Sequence, residues 1–216
     1  MARSGKGSAN LWVLLVGLPL GLAFIVAMVF VGLSYPLYTI PSESNVPTLL
    51  NGDLILTRGS KLVCGAVRPQ PGDVVVFRHK DTSYVKRLVG LPGEWIQFKH
   101  GVLWIDGRPV PQTAEGHRNL DLGGFQTQAE IVRETLPNGK SYQVSLVDRT
   151  AEPENTGEYV LPAGQYFVVG DSRDNSLDSR FPKENDGVGF VPAENLCAVA
   201  IRVLSSPDRT HVWKAL

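Results

Sequence analysis

The chain predicts an all-β, mostly antiparallel fold behind one N-terminal membrane helix, and three observations carry that expectation. Short β-rich runs recur after Ser34 (DLILT, DVVVFRH, YVKRLVG, WIQFKHG, VLWIDGRPV, QYFVVGD and AVAIRVL), with no helical periodicity longer than about two turns among them. Turn signals such as QPGD, LPGE and IDGR bracket the runs, in a chain with 15 prolines and 22 glycines. Ahead of them lies a charge-free apolar stretch, Leu11 to Ser34.

That stretch predicts a transmembrane helix over 11–34. Its 24 residues give about 36 Å of helix against a hydrocarbon core of about 30 Å. Pro19 and Gly21 are tolerable there, because neighbours and local adjustment satisfy the freed backbone groups. A cleaved signal peptide is the rival, but its apolar region is shorter, about 7–15 residues, and ends at an A-x-A-like site that this segment lacks. Arg3 and Lys6 precede the span and the next cation is Arg58. The positive-inside rule therefore assigns 1–10 to the cytoplasm and the rest of the chain to the other side, the periplasmic or outer face in a bacterium.

After the span, 35–110 and 160–216 read as a β core. WIQFKHGVLWIDGRPV predicts two hairpins in series, with turns near His100–Gly101 and Asp106–Gly107. Between them and the next core strands, 111–159 is looser and more polar, and is expected to be an inserted subdomain with a small sheet of its own.

Composition closes off several functions. Lys plus Arg equals Asp plus Glu at 21 each, and no basic patch stands out, which leaves nucleic-acid binding without support. Two cysteines, Cys64 and Cys197, and scattered histidines lack the spacing of a zinc site. The cysteines read equally as a long-range disulfide or as two unrelated buried thiols. Asp171, Asp174 and Asp178 fail as a calcium loop, since Arg173 stands where an acid is needed and the required glycine is missing.

Four blocks carry chemistry: PSESNVPTLLNGD, PGDVVVF, YVKRLVGLPGE and GDSRDNSLDSR. A serine hydroxyl is a weak nucleophile and needs a partner to take its proton. A lysine at its reference pKa is neutral about once in 2,500 molecules at pH 7, so it serves as that partner only if burial disfavours the ammonium. In a strand, Lys86 shares a face with Tyr84 and Leu88 while Arg87 points the other way, which lets the local pattern dehydrate the amine. Taken singly, Ser44 reads as an ordinary turn serine, Lys86 as a snorkelling surface lysine, and Asp178–Arg180 as a loop ion pair.

Together and in this order behind an N-terminal span, the blocks resemble the type I signal peptidases, membrane-anchored β-fold endopeptidases of the serine–lysine class. The resemblance covers the span and both core segments. It implies Ser44 as nucleophile, Lys86 as general base, Ser42 as a hydroxyl donor to the oxyanion and Ser176 as the hydroxyl that orients the lysine. Asp178 and Arg180 would brace the site. Tyr38, Ile40, Asn45, Leu49, Tyr84 and Val85 match the pocket for small residues before the cut. The resemblance implies no metal and no organic cofactor; the partners are signal peptides of exported preproteins and membrane lipid, with no nucleic acid.

Three departures stand out. Where the family most often reads S-G-S-M, this chain has Ser42-Glu43-Ser44-Asn45, and Ser172 replaces the usual asparagine. A carboxylate at Glu43 would oppose catalysis if it reached Lys86 and matter little if it pointed outward. Glu43 and Asn45 fit either a general enzyme or one dedicated to a narrow precursor set. A membrane-tethered domain that binds exported peptides without cutting them is the rival class, and it has no need to keep Ser44, Lys86 and Ser176 together.

Overall fold

The computed structural model describes residues 13–183 and 187–216; the segment 1–10, with Arg3 and Lys6, and the first residues of the expected span lie outside them. One turn of π-helix, Val13–Gly17, leads into the helix α1, Leu18–Ser34. Side chains from Leu15 to Leu33 are all exposed, with no face turned to the protein. That suits a helix whose solvent is lipid, because a soluble amphipathic helix buries one stripe.

Beyond it the chain is strand and turn, with only short 3₁₀ turns as further helix among the described residues. The strands are β1 (Leu37–Thr39), β2 (Leu54–Gly59), β3 (Val74–His79), β4 (Thr82–Gly90), β5 (Trp95–Lys99), β6 (Val102–Ile105) and β7 (Arg108–Pro109). They continue with β8 (Gln112–Asp121), β9 (Gln126–Thr135), β10 (Ser141–Leu146), β11 (Tyr159–Val160), β12 (Gln165–Val169), β13 (Val191–Pro192) and β14 (Leu196–Ser205). A seven-stranded sheet runs β1-β2-β14-β3-β4-β12-β13, a four-stranded sheet β11-β5-β6-β7 and a three-stranded sheet β10-β9-β8. Strand pairing is antiparallel throughout, as the alternation and tight turns predict.

The two hairpins fall where the turns predicted. His100 and Gly101 have φ of 49° and 71°, Asp106 and Gly107 48° and 74°, the left-handed pair that matches strand twist in two-residue loops. β3 lies inside the large sheet, and Val74, Val75, Val76 and Phe77 are all buried, so both its faces are covered. The small sheet β8–β10 comes from the more polar stretch after Pro111. Its Val132, Leu136, Tyr142, Val144 and Leu146 nonetheless pack into one cluster with Val89, Phe167 and Val169 of the large sheet. The stretch is continuous with the core it interrupts.

Cys64 and Cys197 form a disulfide, which resolves the two alternatives left by their spacing and ties the loop after β2 to the start of β14.

Candidate active site

Ser44 stands in the turn that follows β1. The turn is closed at its base by Ile40 N–H to the Asp53 carbonyl (2.8 Å) and Gly52 N–H to the Ile40 carbonyl (2.8 Å), while the Asp53 carboxylate accepts the Leu50 N–H at 2.9 Å. Thr48 and Leu49 N–H groups donate to the Asn45 carbonyl at 2.8 and 2.9 Å, winding the chain tightly just after the serine. The Ser42 and Ser44 hydroxyl oxygens lie 3.3 Å apart. Two further contacts hold the turn from outside: the Ser172 N–H donates to the Ser44 carbonyl at 3.1 Å, and the buried Ser145 hydroxyl donates to the Val46 carbonyl at 3.1 Å.

Lys86 lies on β4, where Val75 of β3 is its cross-strand partner and Leu88 is two positions along the same face. Its side chain is buried, at 4% exposure. Burial is the main cause that lowers its pKa, to about 8; Asp178 and Asp171 pull it upward and Arg180 pushes it down. Among the described residues the Lys86 amine makes no hydrogen bond, either to Ser44 or to Ser176. Arg87 does face away, but Arg180 reaches its surroundings from a distant loop.

That loop, Gly170 to Arg180, is built around one buried carboxylate. Asp178 accepts the Ser176 hydroxyl (2.7 Å), the Gly170 N–H (3.0 Å), and Nε and Nη2 of Arg180 (both 2.9 Å). Burial alone would raise the Asp178 pKa, but the Arg180 charge and its hydrogen bonds outweigh that and hold it below the usual range. Ser176 therefore spends its proton on Asp178. Arg180 also pairs with Glu154 and donates to the Arg173 carbonyl at 2.6 Å. Arg173 is itself wholly buried, with a forked pair of bonds at 2.9 and 2.5 Å to Glu134 on β9.

Gly170 is where the loop meets the Ser44 turn. A Cβ there would lie 2.2 Å from the Ser176 hydroxyl oxygen and 2.4 Å from the Ser44 carbonyl oxygen, so only glycine lets the two segments touch. The small sheet clamps both. Ser145 donates its N–H to the Asp171 carbonyl (2.9 Å) besides holding Val46, and Asp174 accepts the Val147 and Asp148 N–H groups at 2.7 and 3.1 Å.

Ser42, Ser44 and Lys86 line one cleft of about 400 Å³. Of the six residues expected to contact substrate, Tyr38, Ile40, Asn45, Tyr84 and Val85 also line it. Leu49 does not: it is fully buried behind the wall, packed on Ile40, Ile55 and Val74. The turn winds tightly after Asn45, which carries the Leu49 side chain to the core side. Leu177 was missed; it lines the cleft and is 44% exposed, and an apolar residue inside the otherwise polar GDSRDNSLDSR was the available signal. Asn45 is buried, and its amide donates to the Val85 carbonyl at 2.8 Å, fixing the serine turn to β4. Glu43 points away from Lys86 and accepts from the Asn51 amide at 2.9 Å. Ser176, Asp178 and Arg180 form one buried bonded group, and none of the three lines the cleft.

A hydroxyl and a dehydrated amine opening on one apolar-walled cleft, in a β-fold with an exposed N-terminal helix, is the setting of a serine peptidase. Comparison with known proteins agrees. The family described as "Signal peptidase, peptidase S26" matches residues 10–204. A signal peptidase I of Aquifex aeolicus (strain VF5) is 35% identical over 190 residues, covering 74% of this chain and 71% of that protein. One from Pseudomonas fluorescens is 35% identical over 198 residues, covering 81% and 67%. The crystal structure of a signal peptidase I from Enterococcus faecalis V583 overlaps 62% of this chain and 97% of that chain at 24% identity and a TM-score of 0.36, too loosely to inform the fold. The chain belongs to the peptidase S26 signal peptidase family.

Proposed function

We propose that this chain is a membrane-anchored endopeptidase that removes N-terminal signal peptides from exported preproteins, cutting after small residues. Ser44 attacks the scissile carbonyl and Lys86, in its neutral form, takes the hydroxyl proton. The Ser42 hydroxyl and the Ser44 N–H receive the developing oxyanion, and Ser176 with Asp178 and Arg180 holds the lysine face in place. Tyr38, Ile40, Asn45, Tyr84 and Val85 bound the site for the residues before the cut. The observation that supports this reading most is the burial of Lys86, with a pKa near 8, on the same cleft as Ser44.

The helix α1 anchors the chain in the bacterial cytoplasmic membrane, with 1–10 inside and the β domain, comprising 35–110 and 160–216 with 111–159 inserted, on the far side. Arg3 and Lys6 support that direction. So does the Cys64–Cys197 disulfide, which belongs to an oxidising compartment.

The test is cleavage by the full chain in detergent micelles of a preprotein whose signal ends Ala-x-Ala. Wild type is expected to cut at that site, and Ser44→Ala and Lys86→Ala each to lose on the order of 10³-fold or more in kcat, with binding retained. Cutting at wild-type rate by either variant refutes the roles.

A further inference from the structure

A second cleft lies across the Ser44 turn from the first, with a cavity of about 700 Å³. The turn itself is the ridge between them: Ser42, Ser44 and Asn45 face the first cleft, Glu43 and Val46 the second. Its far wall is the hairpin that joins β8 to β9, including Leu120 and Asp121. The floor is apolar, made by Val46 and Leu120, both buried, with Leu50 packed against them. The rim is acidic, and its two carboxylates come from segments far apart in sequence.

Both carboxylates lack a cation. Glu43 accepts a hydrogen bond from the Asn51 amide (2.9 Å), and Asp121 accepts the Gly124 N–H (2.6 Å) and the Gln126 amide (3.3 Å). Neither forms a salt bridge among the described residues. Other acidic side chains near the insertion, Glu115 and Glu130, are paired with Arg133 and Arg149. An unneutralised pair of carboxylates above an apolar floor complements an extended peptide carrying positive charge.

Position gives the cleft a role. For a substrate held with its small residues in the first cleft and its scissile carbonyl at Ser44, the second cleft lies just across the turn from the point of cutting. We propose that the second cleft binds the first residues of the mature chain and favours substrates with lysine or arginine there. The neighbouring Glu43, where the family usually has glycine, then sets substrate choice on the leaving side without touching Lys86. This inference rests on Ser44 being the nucleophile.

The experiment uses three preprotein peptides identical through Ala-x-Ala, with two lysines, two glutamines or two glutamates among the first three residues after the cut. The full chain is assayed in uncharged detergent micelles. At low salt kcat/KM is expected to fall in the order lysine, glutamine, glutamate, by about tenfold from first to last and mainly through KM. High salt compresses the series, and the double variant Glu43→Gln/Asp121→Asn abolishes the order. Equal cleavage of all three peptides by wild type overturns the proposal, as does an order that survives in the double variant. Wild type that cuts none of the three instead refutes the underlying assignment of Ser44.

Discussion

Lys86 and Arg87 are neighbours on one strand, face opposite ways, and are about equally buried at 4% and 2% exposure. Their fates differ. Arg87 donates to both oxygens of Asp171 at 2.7 and 2.6 Å, to the Gly72 carbonyl at 2.6 Å and to the Thr48 hydroxyl at 3.2 Å. Its guanidinium also lies 4.0 Å from the centre of the Tyr142 ring. Burial alone would push the Arg87 pKa down, but the Asp171 carboxylate outweighs it and moves it up. On the other face Lys86 has carboxylates near it and none in contact, so burial wins and its pKa falls. The lesson is that burial does not decide the charge of an interior base; a contacting carboxylate does. One face of β4 is built to keep a charge, and the other to let one go.

Breaking the structural face gives the largest effect expected from this comparison. Asp171→Asn leaves the Arg87 guanidinium charged and buried without its carboxylate, which costs about 3–5 kcal/mol of stability. Urea unfolding of the full chain in micelles measures it; a loss below about 1 kcal/mol would mean that Gly72 and Thr48 suffice.

The Lys86 face is expected to respond in the opposite direction. With its pKa moved from 10.5 to about 8, protonated Lys86 costs the folded state about 3 kcal/mol. The sign follows from proton counting. Between pH 8 and 10.5 the unfolded chain binds more protons at this residue, so the penalty is complete below about 8 and fades as pH rises toward 10.5. Lys86→Met therefore stabilises the chain by about 2–3 kcal/mol near pH 6, with the gain shrinking above pH 8, in paired denaturation curves across that range. A destabilised variant at pH 6 would show that the amine is not carrying that burden.

The sequence made one half of this contrast legible and hid the other. Alternation along β4 correctly separated Lys86 from Arg87, because period-two geometry is a local property of a strand. The hairpins at His100–Gly101 and Asp106–Gly107 were readable for the same reason. The local pair Asp178–Arg180 was readable, but which carboxylate meets which cation across the sheets was not. Asp171 lies 84 residues from Arg87, and Glu134 reaches Arg173 across 39, so those pairs exist only once the sheets have packed. The dependence of the Ser44 turn on Ser145 was hidden likewise, since a polar stretch after Pro111 gave no sign of sharing the core. Leu49 was matched to the pocket by its place in the block alone, and its burial behind the wall is set by the packing of Ile40, Ile55 and Val74 around it.

The smallest effect tests how the Asp178 loop acts on the Lys86 face. If neutral Lys86 is the base, kcat/KM rises with pH through a midpoint near 8. Asp178 pulls that midpoint upward through its negative charge. Asp178→Asn removes the charge while keeping an oxygen that can accept from Ser176, so the midpoint should move to lower pH. The movement is expected to be about one pH unit, since Asp178 acts on Lys86 through its charge and not through a direct bond. The plateau rate is a separate readout, because it falls if the Ser176 geometry loosens whatever the charge does. A midpoint that stays put while the plateau drops would assign Asp178 to positioning alone. A midpoint that climbs would mean that the substitution let water back to the Lys86 amine, because loss of a negative charge by itself lowers the pKa of any neighbouring group.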